Sequence, residues 1–242
     1  MMKVTYIYHS GFAVELEHCV LLFDYYMGKL PEWGQEKPIY VFVSHKHKDH
    51  FNLGIFELAG RYKNVHFFLG SDVKLSEKYL ERNHIAPDIK KKITNVQKNG
   101  KIFFDDMEIR TLRSTDMGVA YIVYTQEKCI YHAGDLNWWH WEGEPYPFNE
   151  DMKKNYKREI DSIRGMHFDV AFVPLDPRLG EAYGLGMDYF LENVQADFVF
   201  PMHMWEEYSY IGKYKKTQIG SRYIGSIADI GAPGQEFDLW NI

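Results

Sequence analysis

The chain has 242 residues, with 34 acidic side chains against 28 basic ones for a formal net charge of -6, and is 45% hydrophobic, 17% aromatic and 26% charged. That is ample apolar material for a buried core, while the absence of any apolar run approaching twenty residues excludes a membrane-spanning helix and the acidic balance disfavours non-specific attraction to nucleic acid. One domain over residues 1–242 is expected, because α/β and sandwich folds of this size commonly form a single core.

The N-terminal segment alternates apolar and polar residues as a strand does and lacks the charged start, apolar core and cleavage site of a secretory signal, so a cytoplasmic location is expected. Residues 3–8, 12–16 and 19–24 read as three short strands divided by His-Ser-Gly and Glu-His punctuation, a β-meander. Asp24 closes the third, either as a turn initiator or as a carboxylate that orients a neighbouring ligand loop. Residues 25–38, rich in Gly, Pro and aromatics, form a long connection that is either a lid over a site or a cover for the core edge. An apolar run at 39–43 reads as a buried strand, followed by a helical pattern over 51–62 with Phe51, Ile55, Leu58 and Tyr62 on one face, and a further strand at 65–69. Ser71 is the expected N-cap of a helix carrying Leu75, Tyr79 and Leu80. His66 and His84 read as structural, and the lysines between 90 and 101 as a solvated face of a polar connection.

Strands resume at 102–104, 107–112, 119–124 and 130–132, a second meander, and the last runs into His132-Ala133-Gly134-Asp135. Trp138, Trp139 and Trp141 follow, as a pocket wall or a core plug. A helix with Met152, Tyr156, Ile160 and Ile163 on one face precedes a buried strand at 169–175 that ends in Asp176-Pro177-Arg178. A helix near 187–194 leads to a strand at 198–200 ending in Pro201-Met202-His203, and a Gly-Ala-Pro-Gly turn at 231–234 precedes a last strand. Strands followed by a βαβ step therefore occur twice, as a duplicated α/β half-domain would give. Cys19 and Cys129 lie inside strand-like runs and read as buried free thiols.

The chemistry concentrates in Val43-Ser-His-Lys-His-Lys-Asp-His50, where a buried strand ends. His45, His47, Asp49 and His50 put four nitrogen and oxygen donors within six residues, more than one divalent ion takes from one loop, so two ions are expected. The series His45-x-His47-x-Asp49-His50, Gly134-Asp135 and a late His203, with Leu22-Phe23-Asp24 before it, resembles the motifs of the metallo-β-lactamase-fold hydrolases, nearest the lactonase-like metal-dependent hydrolase branch. The resemblance implies a four-layer αβ/βα sandwich of class α/β (α+β). It also implies a first ion on His45 and His47, a second on Asp49, His50 and His203, and Asp135 bridging them. The third histidine usual at the first site is replaced here by the stretch 113–118. Asp116 is the nearest substitute, or else a turn residue facing solvent.

Zinc is the expected cofactor, with manganese or iron favoured if Asp116 ligates. Two ions about 3.5–4 Å apart would supply hydroxide at neutral pH for attack on an ester, lactone or phosphoester of a small-molecule substrate, with Asp49 as proton acceptor. His132 would orient a ligand or protonate the leaving group, or else pack in its strand. Asp176 and Arg178 would bind an anionic substrate, or bridge each other. Loops 25–38 and 136–150 would set specificity. The competing readings are a non-catalytic metal- or ligand-binding protein with a degenerate first site and, more weakly, a nuclease. Neither a nucleic acid nor a membrane is expected as a partner.

Overall fold

The computed structural model describes residues 2–239. In chain order the strands are β1 (Met2–Tyr8), β2 (Gly11–Glu15), β3 (Val20–Phe23), β4 (Ile39–Val43), β5 (Val65–Gly70), β6 (Ile93–Val96), β7 (Lys101–Phe104), β8 (Met107–Arg113), β9 (Val119–Thr125), β10 (Lys128–His132), β11 (His167–Pro174), β12 (Gln195–Met202) and β13 (Glu236–Leu239). The α-helices are α1 (Leu58–Arg61), α2 (Glu77–Arg82), α3 (Tyr146–Asp161), α4 (Leu185–Asn193) and α5 (Ser209–Tyr214). No helix among the described residues is long and apolar enough to cross a membrane. The chain divides into two compact units, residues 2–98 with 233–239 and residues 99–232, each built on one sheet.

In the first unit the strand order is β13-β1-β2-β3-β4-β5-β6, antiparallel as far as β3 and parallel from β3 to β6. A parallel strand covered on both faces needs apolar residues at every position, and β4 has them: all five of its residues are buried. Val41, Phe42 and Val43 are fully buried, each stabilising the unit by roughly 1.5–3 kcal/mol. One face of the sheet packs Val41, Val43, Phe67 and Leu69 against Ile55, Phe56, Leu58 and Leu80. On the other, Phe23, Phe42 and Phe68 of three adjacent strands stack at 4.9 and 5.0 Å. Residues 25–38 cover the edge of this core, with Trp33 buried and its ring 6.0 Å from that of Tyr62.

In the second unit the order is β12-β11-β10-β9-β8-β7, antiparallel from β7 to β10 and parallel from β10 to β12. Tyr131 of β10 stacks on Phe190 of α4 at 5.2 Å, and the Tyr156 hydroxyl of α3 donates to the Gly186 carbonyl at 2.7 Å. Both sheets thus begin antiparallel and end parallel, the doubled pattern the sequence suggests. Both cysteines are free and buried, and burial pushes the Cys129 thiol up to about 12.

Several expected elements differ in extent. The helical pattern at 51–62 is a 3-10 turn, Leu53–Glu57, followed by the single turn of α1. Gly54 and Gly60 weaken a continuous helix, and the Asn52 side chain caps the Gly54 N–H at 2.8 Å, so the apolar spacing is satisfied by two short pieces. Ser71 is not the cap of α2: Ser76 is, its hydroxyl accepting from the Tyr79 N–H at 3.2 Å, because residues 71–72 form a turn and 73–76 an irregular stretch before the helix. The polar connection near Lys90 contains β6, an edge strand whose half-exposed residues hide the alternation. The strand expected at 198–200 extends over the whole of β12, and α5 has no counterpart in the sequence reading.

Candidate metal centre

In the first unit the chain leaves β4 directly into the histidine-rich loop, and the parallel pairing of β3 with β4 sets Asp24 beside it, the Asp24 N–H donating to the Phe42 carbonyl at 2.9 Å. Asp24 is buried, and each hydrogen bond to its carboxylate is 2.7 Å long: Oδ1 accepts from the Ser44 N–H, and Oδ2 from the Ser44 hydroxyl and from His50 Nδ1. Ser44 Oγ, its proton given to Asp24, accepts from His45 Nδ1 at 2.9 Å. One carboxylate therefore fixes both buried imidazoles in the tautomer with unprotonated Nε2, the form that binds metal. His45 Nε2 is 2.9 Å from His47 Nδ1, close to the spacing of about 3.0–3.4 Å between adjacent donors on one ion. Asp49 is partly exposed, and its carboxylate lies 3.7 Å from His9 Nε2.

In the second unit the C-terminal ends of three adjacent parallel strands carry the candidate groups: Asp135 follows β10, Asp176 follows β11 and His203 follows β12. Such strand ends are where parallel sheets gather ligands. His203 donates from Nδ1 to Asp176 Oδ2 at 3.1 Å and brings Nε2 to 2.9 Å from Asp135 Oδ1. This repeats the arrangement around Asp24: a buried carboxylate behind the histidine and its Nε2 in front. Burial alone would raise the Asp176 carboxyl, but the hydrogen bonds from His203 and Arg178 outweigh it and hold the group at about 2. Trp139 lies edge-on to His203 at 5.6 Å and donates its Nε1–H to the Asp135 carbonyl at 3.0 Å.

Asp116 is exposed, and a carboxylate oxygen of it lies within 4.8 Å of one from Asp135. Thr115 holds it there, its hydroxyl donating to the Asn137 carbonyl at 2.6 Å and accepting from the Asn137 N–H at 3.0 Å. Gly118 supplies the bend with φ 73. His132 is buried, and its Nδ1 accepts from the Gly134 N–H at 3.1 Å, so its contact is with the turn that carries Asp135. Asp176 is fully buried, its carboxylate taken up by His203, Arg178 and Trp205, which places it behind His203 and out of reach of a substrate. Arg178 forms the Asp–Arg bridge and remains exposed, its guanidinium 4.5 Å from the Trp205 ring and 5.5 Å from that of Trp141. The tryptophan segment is thus split, Trp139 buried and Trp141 part-exposed. Sequence reasoning missed His9, Ser44, Thr115 and Trp205. His9 had a signal, a histidine at a strand end, in a chain whose other strand-end histidines carry the motif.

Comparison with known proteins gives consistent matches. A family model described as a beta-lactamase superfamily domain matches residues 3–140. A metal-dependent hydrolase of Bacillus cereus (strain Q1) is 27% identical over 217 residues, 84% of this chain and 85% of that protein. Among solved structures, a metallo hydrolase of the hyperthermophilic archaeon Ignicoccus hospitalis has a TM-score of 0.60 at 18% identity, covering 98% of this chain and 99% of its own. A possible metal-dependent hydrolase of Veillonella parvula has a TM-score of 0.58 at 14% identity, covering 99% and 100%. The fold they share with this chain is the αβ/βα fold.

Proposed function

The chain belongs to the metallo-β-lactamase superfamily, and on that premise we propose that it is a metal-dependent hydrolase acting on an ester, lactone or phosphoester-type small molecule. Its two divalent ions would be held by His45, His47, Asp49, His50, Asp116, Asp135 and His203, zinc first, with manganese or iron suited to the carboxylate-rich set. The observation that supports this most is the repeated pairing of a buried carboxylate with histidine Nδ1, Asp24 with His50 and Asp176 with His203. Buried carboxylates so placed orient metal-binding imidazoles and raise their basicity. Bound divalent ions would lower the pKa of water to about 7 and polarise the substrate oxygen.

The chain's own residues do the rest. Asp49, partly exposed beside the buried His45 and His50, accepts the proton of the attacking water. Arg178, held flat by Asp176 and flanked by two tryptophans, meets an anionic group of the substrate. His132 holds the Asp135 turn. Metal analysis of purified protein, with hydrolysis of an ester, lactone and phosphodiester panel before and after chelation, tests the reading. About two ions, and activity lost on chelation and in Asp49→Ala, are expected. A single ion under metal excess with no turnover would favour a binding protein, and unchanged turnover in Asp49→Ala would remove that residue from the mechanism.

A further inference from the structure

We propose that His9 is itself a metal ligand, joining Asp49 and His50 in a two-histidine, one-carboxylate set within the first unit; the proposal rests on the hydrolase reading above. His9 lies at the turn between β1 and β2, far from the histidine-rich loop in sequence. It is buried at 2% exposure, and one donor atom each from His9, Asp49 and His50 lie within 4.8 Å of one another. Donors at 2.0–2.2 Å from one ion stand about 3.0–3.6 Å apart, with an upper limit of about 4.4 Å. The 3.7 Å between His9 Nε2 and Asp49 Oδ2 is almost there, and shifts of a few tenths of an ångström to about an ångström close the set.

The three donors are also prepared. His50 has its Nδ1 on Asp24, which leaves Nε2 for the ion. The His9 backbone N–H donates to the Tyr6 hydroxyl at 2.9 Å, and its ring sits edge-on to Tyr26 at 6.3 Å and to His50 at 5.9 Å, so the imidazole is held on two sides. His9 adopts φ 54, a left-handed conformation that glycine or asparagine would occupy with less strain. Two histidines and a carboxylate leave coordination positions open and suit iron, manganese or zinc.

The experiment compares wild type with His9→Asn, which suits the left-handed backbone, and His9→Phe, which keeps the ring volume. Circular dichroism and the thermal midpoint report folding. Zinc and cobalt are titrated against a competing chelator, and the visible spectrum of the cobalt form reports the ligand set. The expected result is at least tenfold weaker binding of one ion, a fall from about two ions to about one at limiting metal, and a changed cobalt spectrum. Cadmium-proton couplings to the His9 ring in the wild type give a reading that needs no variant. Wild type that binds two ions, beside folded variants with affinity within twofold and an unchanged spectrum, overturns the role of His9 alone, as does a wild type without those couplings. Wild type that takes up no ion overturns the hydrolase reading and this one with it.

Discussion

Asp24→Asn isolates what the buried carboxylate does. The asparagine fits the left-handed backbone, φ 41, so the change is chiefly chemical. Its Oδ1 keeps the Ser44 N–H, but its NH2 group now faces the Ser44 hydroxyl and His50 Nδ1, both donors in the wild type. His50 must then turn Nδ1 into an acceptor and carry its proton on Nε2, where the ion should bind, and Ser44 no longer has a carboxylate to receive its proton. Loss of such an orienting partner lowers metal affinity about 10–100-fold, or about 1.4–2.7 kcal/mol. His50 re-forms one bond as an acceptor from the amide, so the net loss is the charge-assisted bond of the Ser44 hydroxyl, about 1.5–3 kcal/mol, and at roughly 2–4 °C per kcal/mol the midpoint of the chelator-treated protein should fall by roughly 3–12 °C. Competition titration with a chelator and a thermal melt measure the two effects separately. Metal affinity within twofold of wild type would refute the tautomer argument, whatever the melt shows.

Asp176→Asn should repeat the affinity loss at His203, about 10–100-fold by the same titration. Gly70→Ala would place a methyl group 2.3 Å from the Ser44 carbonyl oxygen, pushing the histidine loop off Asp24; a cost of about 1–3 kcal/mol is expected in chemical denaturation, with weaker metal binding beside it. Asp116→Ala should take bound metal from about two ions toward one by elemental analysis, whereas Asp116→His should keep two and shift preference toward zinc. Wild type with one ion under metal excess and Asp116→Ala unchanged would defeat the two-ion mechanism.

What the sequence disclosed follows from how locally each feature is encoded. β4 and the loop after it were legible because five apolar residues in a row allow only a buried strand, and histidines at its end have few other uses. Asp24 was legible as a strand-end carboxylate able to orient a ligand loop but not as the group that fixes two imidazoles, because that depends on β3 lying parallel and adjacent to β4 across the intervening residues 24–38. Asp176 reads from the sequence as a strand-end carboxylate that either binds substrate or bridges Arg178; its burial and its bond to His203 come from the pairing of β11 with β12. His9 looked like punctuation in a hairpin, since nothing local says which loop that hairpin turn approaches. β6 and Ser76 were lost for a different reason: a half-exposed edge strand and a cap inside a polar stretch carry little periodicity.

Several of the residues named above have a left-handed backbone, Trp205 at φ 52 and His84 at φ 56 among them. His9, Asp24 and His203 all have positive φ, at 54, 41 and 67, a conformation costing of order 1–3 kcal/mol at a non-glycine residue. Aspartate and histidine are among the non-glycine residues found most often in this conformation, so the turns are compatible with the side chains the site uses. The strain is borne by elements able to carry it: Asp24 follows the fully buried β3, and His203 follows β12, whose last four residues are buried. Each residue follows directly on a buried strand end, which fixes where its side chain starts and so favours the Asp24–His50 and Asp176–His203 pairs. Fixed donor directions of this kind are what the proposed metal centre would require of its histidines.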